Sequence, residues 1–224
     1  MTIDIRPAPI VALGLVMALG GCLGSGSGGG GGAGGGSGSA DYETAYDEVT
    51  SRIATSDMPT SIDATYEGQF KVGVNSGSAE AFGSSVTPSN AEIIGDLSLA
   101  VDWTDGQTSN PFTGSATNIV ATDVVSGDSI QLQGTLNVDS GQPASVSRLP
   151  VIPGVDTGSM MVSLTGDVAN GDDEGRVYLG LTGQFYGPGG NAMQGVVTGG
   201  INDMDDPDAQ IFDAAIGGSF YATQ

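Results

Sequence analysis

From Ile62 onward, apolar and polar side chains alternate along the chain with a period of two. Tyr66, Gly68, Phe70, Val72 and Val74 alternate with Glu67, Gln69, Lys71 and Gly73. Leu97, Leu99, Val101 and Trp103 alternate with Asp96, Ser98, Ala100 and Asp102. The same pattern runs through Ile130–Val138, Met160–Val168, Val177–Phe185 and Phe212–Phe220. Successive side chains of a strand point to opposite faces, so each segment reads as a strand with one buried and one wet face. Two less regular segments, 112–122 and 192–201, complete a set of eight. The predicted strands are 66–75, 91–104, 112–122, 128–138, 158–169, 174–186, 192–201 and 211–223. Ser126-Gly127, Asn170-Gly171-Asp172 and Pro188-Gly189-Gly190 mark turns between them. Such short connections make neighbours antiparallel.

Eight strands of this kind form either a closed barrel filled by side chains or a two-sheet sandwich. Gly68, Gly134, Gly166, Gly183 and Gly218 all fall on the inward parity, where glycine permits the sharp bends of a small barrel. The expected fold is therefore all-β, a soluble eight-stranded antiparallel up-and-down barrel. A membrane-spanning barrel would need apolar residues facing lipid. Here the outward parity carries Glu67, Lys71, Asp96, Asp102, Gln131, Gln133 and Asp167, side chains that belong in water. By the same parity Trp103 is a core residue.

Before the strands the period changes. Tyr42, Ala45, Tyr46, Val49 and Ile53 share one helical face, and Asp41, Glu43, Asp47 and Glu48 crowd the end that the helix dipole makes favourable for anions. A short amphipathic helix is expected within 41–57, packed on the folded domain or closing one end of it. Met58-Pro59 ends any helix and opens the domain at 58–224.

The first 40 residues have another character. Residues 8–21 are uncharged and match the apolar core of a signal peptide, shorter than the ~20 residues of a spanning helix. They end in Leu19-Gly20-Gly21-Cys22, which resembles the lipobox of bacterial lipoproteins. The resemblance implies a leader of residues 1–21, cleavage before Cys22, and a diacylglycerol on the sulfur of that cysteine, the only one in the sequence. Acylation contributes about 0.8 kcal/mol per buried CH2, so several chains would anchor stably in a membrane. Leu23 stands where many inner-membrane lipoproteins carry Asp, which resembles an outer-membrane destination. Residues 22–40 follow as the lipidated cysteine and a glycine/serine tether whose end-to-end distance is on the order of 20–25 Å.

Charge narrows the partners. The formal net charge is −21, with five basic side chains against 26 acidic ones. Loss of the leader would remove Arg6 and Asp4 together and leave that balance intact. So acidic a surface excludes nucleic acid and anionic lipid as partners of a basic patch. Acids spread along the chain fit adaptation to salt better than a single acidic face for a basic partner.

The chemistry is sparse. The absence of histidine excludes Ser–His and Cys–His catalysis and histidine-based zinc or haem ligation, and no enzyme is expected. Asp156-Thr157-Gly158-Ser159 matches the loop of aspartic proteases, with Asp139-Ser140-Gly141 as a weak second copy. A dyad needs two such loops face to face, and strand-terminal turns explain both motifs more simply. Asp203, Asp205, Asp206 and Asp208 are the densest acid cluster and the candidate calcium ligands. Pro207 and the lack of the loop glycine break the EF-hand pattern, and a solvated loop is the favoured reading. No other cofactor is expected. Tyr178 and Tyr186 have outward parity on one strand and are candidate binding residues, unless the helix covers them.

Met58-Pro59-Thr60-Ser61 with Ala64-Thr65-Tyr66-Glu67-Gly68, Gly183-Gln184-Phe185-Tyr186-Gly187-Pro188 with Ala192-Met193-Gln194-Gly195, and the ending Ile216-Gly217-Gly218-Ser219-Phe220 carry a family resemblance. Together with Ile94–Trp103, they resemble the transferrin-binding-protein-like β-barrel domain over about 58–224. The family often has Glu at the position of Gln194 and Gly at that of Val196. The handle domains and second lobe of the full transferrin receptors are not recognisable, which leaves transferrin itself in doubt. The resemblance implies a lipid-anchored outer-membrane protein exposed at the cell surface, carried there by an outer-membrane translocator. It would bind a protein or iron-bearing ligand through its loops. An accessory outer-membrane lipoprotein without a soluble ligand, on the periplasmic face, is the alternative.

Overall fold

The computed structural model describes residues 39–224; Cys22, the residues Leu19, Gly20 and Gly21 before it, and the tether up to residue 38 lie outside this range. The strands are β1 (Ser61–Gly77), β2 (Ala91–Thr104), β3 (Phe112–Asp123), β4 (Ser129–Gly134), β5 (Leu136–Val138), β6 (Ser145–Ile152), β7 (Val155–Asn170), β8 (Asp173–Tyr186), β9 (Ala192–Asp203) and β10 (Ala214–Thr223). All their pairings are antiparallel: β1 pairs β2, β2 pairs β3, β3 pairs both β4 and β5, these two pair β7, and β7–β8, β8–β9 and β9–β10 follow in order. β10 returns to pair with β1 over Glu67–Gly77, which closes a ring of eight strands.

The inward parity read from the sequence is observed for the large apolar side chains, whereas Gly134 and Gly218, expected inward, are exposed. Tyr66, Phe70, Leu97, Leu99, Trp103, Leu164, Leu179, Phe185 and Phe220 are almost fully buried inside the ring. Each such side chain contributes roughly 1.5–3 kcal/mol through burial. Both mouths are filled. The β1–β2 connection carries Ala81, Phe82 and Val86 into one end, and Met58 seals the other against Gly158 and Gly190.

Closing so small a ring brings the backbones of paired strands very near each other at several glycines. At Gly218 a Cβ would overlap the Lys71 carbonyl oxygen of β1. Gly134 has φ 140°, where a side chain is strained whatever the space, and a Cβ there would overlap Asp167 O.

Four further expectations need correction. The segment 128–138 is two strands, β4 and β5, broken at Thr135, though they fill one lane of the ring. Residues 145–152, expected as loop, form β6, which pairs only with β7. Its Pro150 cannot donate to a ladder and is tolerated because one edge is unpaired. The final strand begins at Ala214, so Phe212 lies outside the ring rather than within it. The helix α1 (Ser39–Thr50) stops before Ile53, which is 85% exposed. Sheet contacts capture the chain there: Ala54 bridges Tyr186, and Thr55 N donates to Phe185 O.

α1 packs on the outside of the ring, not inside it. Tyr42 is fully buried, its hydroxyl 2.9 Å from Ser219 Oγ, its ring against Tyr46 and Tyr221. Lys71 stands over the Tyr42 ring and pairs with Glu43. Burial pushes the Tyr42 phenol well above its ordinary range.

Replacing Gly218 by Ala should destabilise the fold by about 3 kcal/mol in urea titration, because the neighbouring backbone must yield. Gly180→Ala, whose Cβ would meet nothing closer than Thr198 Oγ1 at 3.5 Å, should stay within about 0.5 kcal/mol of the parent. Equal effects would contradict the close approach. A second prediction concerns acid. The Asp123 carboxylate accepts from Val125 N, Ser126 N and Thr87 N, and these backbone donors hold its pKa down at about 2. A depressed pKa contributes stability above the ordinary carboxylate range that is lost as pH falls through about 2. Asp123→Asn should therefore lower the melting temperature by a few degrees at pH 7, with the difference vanishing near pH 2. A difference independent of pH would refute it.

Candidate functional site

A groove lies on the outer face of β7, β8 and β9. Its volume is about 750 Å³, within the roughly 300–1,000 Å³ of small-molecule sites. It forms because the β9–β10 loop folds back against the sheet instead of projecting from its end. The loop is held by Asn202, fully buried, which donates through Nδ2 to Pro207 O and Ala209 O. Phe212 lies on the surface left bare by Gly200, where a Cβ would collide with its ring.

Tyr178 is the hub of this arrangement. Its ring packs 5.9 Å from that of Phe212, and its hydroxyl donates to Pro207 O at 3.2 Å and Asp208 Oδ1 at 3.1 Å. Burial, and then the Asp208 carboxylate, raise its pKa. Arg176, two residues earlier on the same face, grips Asp167 across the β7–β8 pair through two hydrogen bonds and reaches Asp208 at 3.2 Å. The guanidinium holds the Asp167 carboxyl below its usual range, and Asp167 in turn raises the arginine.

The floor is flat, because Gly180 has no side chain. Around it stand Ser163, Thr198, Gln142 and Gln210, with Asp139 at the far rim. Asp139 Oδ1 accepts from Gly141 N in a local turn.

The sequence candidates are thus distributed. Tyr178 lines the groove, covered by the acidic loop rather than by the helix. Tyr186 sits elsewhere, half-buried at the end of β8 in a shallower recess shared with Tyr46, Gln194 and Val196. The four aspartates of the cluster do not converge. Asp203 Oδ1 accepts from Glu80 N, Asp208 is turned to Arg176 and Tyr178, and Asp205 and Asp206 are exposed. Among the described residues no group of three or more acidic or cysteine side chains is placed to hold a metal ion. Asp156 opens β7 and pairs with Arg148, while Asp139 ends β5; each serves its own turn or strand end. The groove itself was missed by the sequence reading. Its signal was the two outward-parity glycines, Gly180 and Gly200, which leave a strip of sheet without side chains.

Tyr178→Phe removes the hydroxyl that fastens the loop. Amide exchange at Asp206 and Ala209 should rise about fivefold, equivalent to about 1 kcal/mol for one net hydrogen bond, with the ring strands unchanged. Unaltered loop exchange would show that the hydroxyl does not hold it.

No family model, no curated protein and no solved structure matches this chain.

Proposed function

We propose that the protein is a lipid-anchored lipoprotein of a bacterial outer membrane. It displays a soluble up-and-down barrel at the cell surface as a ligand-binding module, in the manner of the transferrin-binding-protein-like domain. The observation that carries this reading is the pairing of two features. Leu19-Gly20-Gly21-Cys22 ends an apolar leader, and the ring beyond the tether has a polar exterior: Glu67, Asp102, Gln131, Gln133 and Asp167 are exposed on its outer face. A domain of that kind needs a covalent lipid to stay at a membrane. No described helix is long and apolar enough to cross one.

Loop-borne recognition is supported by the composition of one end of the ring. Residues 140–155 carry no acid in a chain of net charge −21, and they expose Leu149, Val151 and Ile152. Exposed apolar side chains on a hairpin tip in so acidic a protein are a reasonable contact for a protein partner.

The test is to express the full chain and Cys22→Ala in a Gram-negative host fed an alkyne-tagged palmitate. The parent should incorporate label and enter the detergent phase, and the variant should do neither. Protease added to intact cells should digest the labelled protein. An unlabelled parent would overturn the anchoring, and a labelled parent digested only after lysis would overturn surface display.

A further inference from the structure

We propose that the outer groove beneath the β9–β10 loop is a binding site for a neutral, polyhydroxylated ligand, a short oligosaccharide. The inference deepens the binding-module reading and rests on it for its biological setting.

The floor is the middle of a paired sheet: β8 is bonded along its length to β7 and β9, and β9 to β10. No strand edge is open there, so an extended peptide finds no backbone ladder to join. Anionic ligands, including iron carried by acidic chelators, find no free cation. Arg176 is already committed to Asp167 and Asp208, and no lysine lines the groove. A wholly apolar ligand would meet Leu164, Leu179 and Ile216 beside Tyr178 and Phe212, but it would also cover Ser163, Thr198, Asp139 and Asp208 and leave their polar groups without water or a partner. A cationic ligand finds Asp208 already paired with Arg176 and bonded to Tyr178, which leaves Asp139, held by one backbone donor of its own turn, as the single groove carboxylate to attract it.

What remains is a shelf of amides and hydroxyls beside aromatic rings. Gln142, Gln210, Ser163 and Thr198 each carry both donor and acceptor capacity, the requirement for reading sugar hydroxyls. Gln142, Gln210 and Thr198 are exposed and Ser163 is half-buried, so their polar groups are open to a ligand. The rings of Tyr178 and Phe212 offer apolar surface to the C–H face of a pyranose, and the bare strip at Gly180 lets a ring lie flat. Small-molecule sites join apolar walls to a few placed polar groups in this way.

Gly180 provides a clean test. A side chain there projects into the groove, and the nearest obstacle to its Cβ is 3.5 Å away, so the ring is not disturbed. Cellotriose, maltotriose and chitotriose would each be titrated into the mature chain, and spermidine alongside, while the amide resonances of Ser163, Gly180 and Thr198 are followed by NMR. At least one trisaccharide should shift them saturably. Gly180→Leu should weaken that binding tenfold or more, with a melting temperature within a few degrees of the parent. The inference is overturned if none of the three sugars shifts these amides, if Gly180→Leu binds as the parent does, or if only spermidine binds. These outcomes are independent of palmitate labelling. A protein that is acylated and displayed yet blind to the sugars sinks the groove alone, and one that binds them without acylation sinks the anchoring alone.

Discussion

The antiparallel pairing of the first strand with the last is the constraint on which the structure rests. Phe70 faces Phe220 across that seam, and Val72 faces Gly218. Their sequence separation makes it a costly contact to form, because a long loop must close before it is rewarded. Once made, it removes the two free edges an eight-stranded sheet would otherwise present. It also turns one face of every strand into a common dry interior. The apolar alternation is satisfied by that closure, since a single flat sheet would leave its whole apolar face in water.

Closure also explains the exterior. A filled ring has no room for ligand, as Phe82 and Met58 occupy its two mouths. In the proposed binding role, contact with a ligand falls to what lies on or beyond the outer face: the docked helix, the acid-free segment 140–155 that carries β6, and the groove under the β9–β10 loop. The loop is drawn back onto the sheet by Asn202, Tyr178 and the ion pairs of Arg176. Its acidity, which on sequence alone invites a metal, is dispersed by that folding. Two of its carboxylates meet protein donors and two face solvent.

The eight lanes of the ring were legible because burial on one face imposes period two, and that signal survives wherever both neighbours are strands. Where it is absent, the reading slipped. β6 is an edge strand with Pro150 inside it, Pro143 and Pro153 beside it, and only one paired side, so its residues need not alternate. Phe212 continues the parity of β10 on paper, but the chain leaves the sheet at Ala214 and lays that ring on Gly200. Ile53 fits the helical face, yet the sheet claims the next residues before another turn can form. Outward Tyr178 was visible from parity. The loop that covers it was not, because 204–213 has no periodicity and its conformation is set by contacts distant in sequence. The leader, by contrast, is legible only as sequence, since it lies outside the described residues.

The seam between β1 and β10 is the most direct point to test. Native-state amide exchange, resolved by NMR, would compare Phe70, Val72 and Phe220 with Val162, Leu164 and Leu179 in the long β7–β8 pair. A closed ring predicts that both sets open only with global unfolding and exchange at matching rates. Seam amides that exchange orders of magnitude faster, like those of a free edge, would contradict closure and with it the account of the core and the outer face.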